Sequence, residues 1–184
     1  MIRIGIIGDI GSGKTFVSKC FRLPVFDADQ EVKKIYKTNK KCFKRLNKKF
    51  PKNIKHFPIE KEEIKKIINK SNLKILSKIV HQYVRLSLKK FLKKNYKKKY
   101  VILDIPLLIE NKLYKKSDII IGIKAPKKII IKRLKLRGNY NKRIFDILRK
   151  QQFNLTRKIK LCDYVIENNS NKKNIMKQIK TIKK

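Results

Sequence analysis

Five short runs of apolar, mostly β-branched residues constrain the fold of this 184-residue chain more than any other feature. Ile and Val continue through these runs without alternating with polar residues, as in strands that are covered on both faces. The segments between them space their apolar residues as helices do. Strands that alternate with helices predict an α/β, three-layer fold with a five-stranded parallel sheet. The predicted strands are residues 2–7, 24–26, 100–105, 118–123 and 163–166.

The spacing of these runs predicts one domain with two helical insertions. Roughly seventy residues separate the second run from the third, which is too long for a single crossover. We expect a helical insertion at about 31–97 and a basic helical segment at about 129–159, beside a core of about 1–30, 98–128 and 160–184. The composition, with 41% hydrophobic residues, 6 Gly and 5 Pro, excludes collagen-like and disordered chains.

A glycine-rich loop at residues 8–15, GDIGSGKT, matches the phosphate-binding pattern G-x-x-x-x-G-K-[ST]. It lies directly after the first predicted strand and directly before a helical segment, as in a P-loop NTPase fold. Glycines let the loop fold back so that backbone N–H groups face a triphosphate. We expect Lys14 to reach the β- and γ-phosphates and the Thr15 hydroxyl to bind Mg²⁺. The predicted nucleotide-binding residues are Ile10, Gly11, Ser12, Gly13, Lys14 and Thr15.

Three aspartates follow predicted strands, at the carboxyl edge where parallel α/β sheets bind their ligands. Asp27 and Asp29 follow the second run, and in an extended chain residues two apart project to the same side. One could accept a proton from an attacking hydroxyl, while the other orients Mg²⁺ or that hydroxyl. Asp104 ends the third run, which is the Walker B arrangement and predicts a metal ligand. Helix capping is an alternative role for all three.

The net charge of the chain is far from ordinary, with 52 Lys and Arg against 13 Asp and Glu, or +39. Such an excess fits proteins that bind nucleic acids or anionic membranes, but drift in an AT-rich coding sequence also enriches Lys, Ile and Asn. Arg, the better phosphate ligand, is scarce relative to Lys. On either interpretation we expect the surface to attract polyanions without specificity.

The cysteines and the apolar runs bear on where the protein works. Cys20, Cys42 and Cys162 form no C-x-x-C pair, which indicates a reducing compartment and no disulfide framework. The first apolar run ends at Gly8, too soon for a signal peptide, and no run approaches the ~18 residues needed to cross a bilayer. We expect a cytoplasmic protein without a membrane partner, as a monomer or weak homo-oligomer.

Further segments fall into one ordered set with the glycine-rich loop. They are residues 27–29 (DAD), His81, residues 104–110 (DIPLLIE), Arg133, Arg137, Gln152 and residues 162–168 (CDYVIEN). The set resembles that of the dephospho-CoA kinase family, with Cys162 in place of the usual Ala, and it covers nearly the whole chain. The resemblance implies transfer of the ATP γ-phosphate to the ribose 3′-hydroxyl of dephospho-CoA. The products would be ADP and CoA, in the last step of CoA biosynthesis.

The resemblance also implies roles for single residues. Asp29 matches the catalytic base, and Lys14 and Arg137 match groups that stabilise the transferred phosphoryl group. Arg133 falls with Arg137 in a mobile lid and joins the expected nucleotide contacts. Without the family, a solvated helix face would suit both arginines and an ordinary helix position would suit His81. The expected metal ligands are Thr15, Asp27 and Asp104, and the expected acceptor contacts are Asp27, Asp29, His81, Pro106 and Leu107.

Two departures from the family pattern and two rival functions stay open at this point. Only 12 residues lie between Lys14 and Asp27, a short first crossover that affects the register of the aspartates after it. Asp9 places a carboxylate in the phosphate loop, which is unfavourable unless it points toward Mg²⁺ or the acceptor. The rivals are a kinase for another hydroxyl acceptor, such as a nucleoside, and a polyanion-binding protein.

Overall fold

The structure is a computed structural model that describes residues 1–136 and 141–182. All five predicted runs are strands of one parallel sheet with the order β2-β3-β1-β4-β5. The prediction of an α/β fold around a five-stranded parallel sheet is therefore confirmed. The strands are β1 (Ile2–Gly8), β2 (Val25–Asp27), β3 (Tyr100–Asp104), β4 (Ile119–Lys124) and β5 (Tyr164–Glu167).

The chain divides into two compact units, one formed by residues 1–27 with 95–184 and the other by residues 28–94. The first unit holds the sheet, and its described helices are α1 (Lys14–Cys20), α6 (Lys127–Leu136), α7 (Lys142–Arg149), α8 (Leu155–Ile159) and α9 (Lys172–Ile182). The second unit is helical, with α2 (Ala28–Thr38), α3 (Lys40–Lys49), α4 (Lys61–Ile67) and α5 (Lys70–Lys94).

The sheet is covered on both faces, which explains why its strands do not alternate with polar residues. On one face Ile4 and Ile6 pack in a cluster with Val17 of α1 and with Ile175 of α9. On the other face the Leu108 side chain packs directly on Gly5, because a Cβ at that position would lie only 2.5 Å from Leu108 Cδ2. Helix α8 also contacts β1 and β4. The result is the three-layer arrangement that the sequence predicts.

The helical unit has its own apolar core. Helices α2 and α3 both pack on the long helix α5, which buries Leu73, Leu76 and Val80 at the predicted helical spacing. Helix α3 begins where the Asn39 side chain accepts a hydrogen bond from the Cys42 N–H at 2.9 Å. None of the helices in residues 1–136 and 141–182 is long and apolar enough to cross a bilayer.

A buried ion pair lies at the amino edge of the sheet. Arg3 of β1 donates from Nε to Asp118 Oδ1 at 2.7 Å and from Nη2 to Oδ2, so the pair is bidentate. Asp118, whose side chain is 2% exposed, also accepts the Lys115 N–H at 2.8 Å. Both carboxylate oxygens therefore have close, directed donors, and the pair joins the first strand to the start of the fourth.

Candidate active site

The glycine-rich loop closes between the end of β1 at Gly8 and the start of α1 at Lys14. Gly11 and Gly13 have φ values of 87° and 89°, in the left-handed region where other residues are strained. A Cβ on Gly13 would lie 2.3 Å from Asn168 Nδ2 and 3.0 Å from Arg133 Nη1. Glycine is needed here both for the backbone conformation and for the close approach of two side chains.

Lys14 folds back over its own loop. Its Nζ donates to the Gly8 carbonyl at 3.1 Å and to the Asp9 carbonyl at 3.0 Å. The buried Ser12 hydroxyl has no hydrogen-bond partner among the described residues. The loop thus gathers an ammonium group, backbone N–H groups and an unpaired hydroxyl around a narrow turn, which suits the oxygens of a triphosphate.

Two of the three predicted metal ligands are in direct contact. Thr15 Oγ1 donates to Asp104 Oδ2 at 2.6 Å, although 89 positions separate them. Asp27 is the register partner of Asp104 on the neighbouring strand, so both end at the carboxyl edge of the sheet. The short first crossover therefore leaves Asp27 beside the Walker B aspartate.

Asp29 lies on a helix and not on the extended chain expected from the sequence. Helix α2 begins at Ala28, so Asp29 lies exposed in its first helical turn and not on an extended strand. The expectation that Asp27 and Asp29 project to one side of an extended chain is wrong, because the chain becomes helical between them. An acid in the first turn also interacts favourably with the helix dipole.

Arg133 braces the phosphate loop from outside. Its Nη1 donates to the Ser12 carbonyl at 2.9 Å, and its Nη2 donates to Asn168 Oδ1 at 2.9 Å. Asn168, which is fully buried, donates from Nδ2 to the same Ser12 carbonyl at 2.8 Å. Arg133 therefore does not lie on a solvated helix face, the alternative that its sequence position allows. Arg137 lies outside the described residues.

A small cleft joins the loop to the segment after β3. It is lined by Ile7, Gly8, Lys14, Ile105, Pro106, Leu107, Leu108, Glu110, Gln152 and Lys158. Leu107 has a φ of 60°, a left-handed conformation that costs a non-glycine residue about 1–2 kcal/mol. Such strain is often found at functional sites. The cleft thus brings two expected acceptor residues, Pro106 and Leu107, together with Lys14.

Comparison with known proteins assigns this arrangement to a family. A family model described as dephospho-CoA kinase matches residues 2–174. The chain belongs to the dephospho-CoA kinase family. It is 32% identical to a dephospho-CoA kinase of Wolbachia pipientis over 97% of this chain and 95% of that relative. The family assignment from the sequence is confirmed, and with it the expected function of an ATP-dependent kinase in the final step of CoA biosynthesis.

Solved structures agree with the fold of the family. The structure of TT1252 from Thermus thermophilus superposes with a TM-score of 0.79 at 26% identity, covering 98% of this chain and 95% of that one. A dephospho-CoA kinase from Campylobacter jejuni superposes with a TM-score of 0.64 at 20% identity, covering 98% and 94%. The second likeness concerns the fold alone.

His81, an expected acceptor contact in this dephospho-CoA kinase family member, lies on α5 in the helical unit. It is half-buried, and burial lowers the pKa of its imidazole below the usual value, with a smaller contribution from the Arg85 charge. The side chain is therefore neutral at pH 7 and can accept or donate a hydrogen bond as an uncharged group.

The sequence did not predict that Asn168 holds the phosphate loop or that Lys158 is a buried cation. Asn168 stands in the CDYVIEN segment, so its position was noticed but not its contact with Ser12. Lys158 is 2% exposed, and its Nζ lies 3.3 Å from Asp9 Oδ1. In a chain with 52 Lys and Arg, nothing in the sequence distinguishes this lysine from its neighbours.

Proposed function

We propose that the carboxyl edge of the sheet is where this dephospho-CoA kinase transfers the γ-phosphate of ATP. The observation that carries the proposal is the 2.6 Å hydrogen bond from Thr15 Oγ1 to Asp104 Oδ2. It joins the last residue of the phosphate loop to the acid at the end of β3. A P-loop kinase needs these two oxygens together, since both would hold the metal ion that offsets the charge of the transferred phosphate.

Thr15, Asp104 and Asp27 would hold Mg²⁺. Their donors are all oxygens, which Mg²⁺ prefers, and the ion usually keeps several waters with one or two carboxylates. Among residues 1–136 and 141–182, no group of three or more His, Cys, Asp or Glu could hold a metal by itself. When bound, Mg²⁺ would offset phosphate charge during the transfer.

Lys14 and the loop would bind the triphosphate. The ammonium of Lys14 donates to two neutral carbonyls, and charged phosphate oxygens are stronger acceptors for it. Arg133 and Asn168 hold the Ser12 carbonyl from behind, so the loop keeps its shape when the ligand binds. This arrangement supplies positioning and electrostatic stabilisation, which account for most of the catalysis in phosphoryl transfer.

Asp29 would be the base that accepts the proton of the ribose 3′-hydroxyl. The assignment rests on its match to the family motif, and its side chain is exposed in the first turn of α2. Arg137 would stabilise the transferred phosphoryl group with Lys14. His81, Pro106 and Leu107 would contact the acceptor, the role that the resemblance to the family implies for them.

We further propose that the protein works in the cytoplasm as a monomer or weak homo-oligomer. Cys20, Cys42 and Cys162 are free thiols, which suits a reducing compartment. Cell fractionation and the solution mass of the purified protein test the two statements.

The function is tested by one coupled assay of the purified protein with ATP, Mg²⁺ and dephospho-CoA that measures ADP and the 3′-phosphorylated product. We expect stoichiometric formation of both. Nucleosides and nucleoside monophosphates serve as alternative acceptors in parallel reactions. Faster ADP release with one of these than with dephospho-CoA would contradict the proposed acceptor.

The roles of the two neighbouring aspartates are separated by conservative substitution. Asp29→Asn should lower kcat by about 100-fold or more, the loss typical of a general base. Asp27→Asn should chiefly raise the Mg²⁺ concentration needed for half-maximal rate. Asp146→Asn, at an exposed position on α7, is the matched control and should leave both unchanged. If Asp27→Asn is the slower variant at saturating Mg²⁺, the two roles are exchanged.

A further inference from the structure

Lys158 on α8 is a buried cation beside the phosphate loop. Its side chain is 3% exposed, and four oxygens from three segments of the chain surround its Nζ. The distances from Nζ are 3.3 Å to Asp9 Oδ1, 3.4 Å to Gln152 Oε1, 3.5 Å to the Gly8 carbonyl and 3.9 Å to Glu110 Oε1. The cluster of Lys158, Asp9 and Glu110 is called the loop triad below.

The loop triad is held by charge more than by directed hydrogen bonds. None of these four oxygens lies at the 2.7–2.9 Å typical of a charge-assisted N–H···O bond. Burying an ammonium group is costly unless opposite charges lie nearby. Asp9 and Glu110 supply those charges, and Glu110 also accepts the Phe153 N–H at 3.0 Å, which fixes its position. Lys158 therefore faces two carboxylates, and the triad has one more negative charge than positive.

The loop triad touches the proposed phosphate site directly. Lys158 and Lys14 both donate to the Gly8 carbonyl, so their ammonium groups are neighbours. They line the same cleft. Asp9 is the second residue of the glycine-rich loop, and its carboxylate is 38% exposed. Without Lys158, the Asp9 and Glu110 carboxylates would stand uncompensated beside bound phosphates and would repel them.

We propose that Lys158 is a positioning residue of the phosphate site: it neutralises Asp9 and Glu110 and draws the Asp9 carboxylate away from the bound phosphates. This explains how the chain carries an acid inside its phosphate loop. Asp9 points toward a buried lysine, so its charge is compensated without a metal ion or acceptor. The inference rests on the proposed function, since it concerns the same nucleotide.

The test measures the affinity of Lys158→Met for adenosine, ADP and ATP by calorimetry. We expect ATP to lose about 10- to 100-fold in affinity, ADP less, and adenosine nothing, because the repulsion acts on phosphate charge. The KM for ATP should rise in parallel, with kcat changed by less. A structural defect would weaken adenosine and ATP alike, and that outcome would overturn the proposal.

The second arm removes the repelling charge. In Lys158→Met/Asp9→Asn we expect most of the lost ATP affinity to return, since Asp9 no longer needs a counter-charge. A double variant no better than Lys158→Met would mean that Lys158 binds phosphate directly, which contradicts the proposal. Lys158→Arg should stay close to the unmodified protein because the charge is kept. Lys160→Met removes an exposed lysine two positions on and is the matched control.

If Lys158→Met does not fold, the single variant Asp9→Asn tests the proposal that Lys158 neutralises Asp9. Asp9 is partly exposed in a loop, so its substitution leaves the buried lysine paired with Glu110. ATP affinity should then be equal to or higher than that of the unmodified protein. A loss of ATP affinity would overturn the proposal. Kinase activity of the unmodified protein with dephospho-CoA, measured first, separates a failure of this inference from a failure of the proposed function.

Discussion

The two edges of the sheet hold two buried ion clusters that are built differently. At the amino edge, Arg3 and Asp118 form a bidentate pair with close, directed hydrogen bonds. At the carboxyl edge, the ammonium of Lys158 lies 3.3 Å and 3.9 Å from the carboxylates of Asp9 and Glu110. Both clusters lie in the same compact unit, the one that holds the sheet.

A buried charge cluster can stabilise the fold or shape a ligand-binding site, and the distances within the two clusters separate these roles. In a closed bidentate pair the guanidinium and the carboxylate donate and accept hydrogen bonds to each other, so neither charge is left to bind a ligand. In the loop triad, Lys158 offsets the charge of two acids beside the proposed phosphate site, so its loss would leave negative charge that repels a bound phosphate. We therefore expect substitutions at the amino edge to change the free energy of unfolding, and substitutions at the carboxyl edge to change nucleotide binding and turnover.

The largest effect is expected at the carboxyl edge from Lys14→Ala. Removing the ammonium that faces the β- and γ-phosphates should lower kcat/KM by about 1000-fold, within the range for loss of a group that stabilises developing charge. The melting temperature should change little. Steady-state kinetics with dephospho-CoA measure the loss, and Lys19→Ala, an exposed lysine on the same helix, is the matched control. Near-normal turnover by Lys14→Ala would refute the role of the loop.

At the amino edge, Asp118→Asn should lower the free energy of unfolding by about 3–5 kcal/mol, because it leaves the Arg3 charge buried without its partner. Urea titration measures this loss. The KM for ATP of the folded fraction should stay unchanged. The double variant Arg3→Met/Asp118→Leu should recover much of the stability, since it removes both charges. A raised KM for ATP in Asp118→Asn would contradict the expectation that the amino edge affects stability and not nucleotide binding.

A smaller effect is expected from Gly13→Ala, which tests the brace behind the loop. Its Cβ would meet Asn168 Nδ2 at 2.3 Å, and the left-handed φ of 89° adds about 1–2 kcal/mol of strain. We expect Asn168 to leave the Ser12 carbonyl and ATP affinity to fall by about 10-fold. Calorimetry measures the affinity. Unchanged affinity would show that the brace does not shape the site.

The smallest effect concerns His81, a half-buried group on α5. Burial places the pKa of its imidazole below the ordinary 6.5 in the folded state. The unfolded chain therefore binds the proton more readily, and stability is complete above about pH 6.5 and decreases as pH falls through the lowered pKa. His81→Gln should flatten this decrease in urea titrations between about pH 7 and 5. A steeper decrease in the variant would contradict the sign of the shift.

Much of the fold could be predicted because its signals are local. Uninterrupted Ile and Val mark strands that are covered on both faces, and all five strands are found with no boundary shifted by more than one residue. The backbone of the phosphate loop needs glycine at positions 11 and 13, so the loop can be recognised from its local sequence alone. The expectation that Asp29 continues the extended chain of Asp27 is wrong because helix α2 begins at Ala28, and a strand of only three residues is too short for its apolar pattern to mark its end. The role of Asp29 as catalytic base stays a prediction.

The sequence alone determined the sheet, the phosphate loop and the family to which the chain belongs, since each depends on residues close together or on an ordered set of motifs. Only the tertiary structure decided that Thr15 contacts Asp104, that Arg133 braces Ser12 and that Lys158 faces Asp9. These pairs lie far apart along the chain. The burial that gives one lysine among so many its special environment arises only when α8 packs on the sheet.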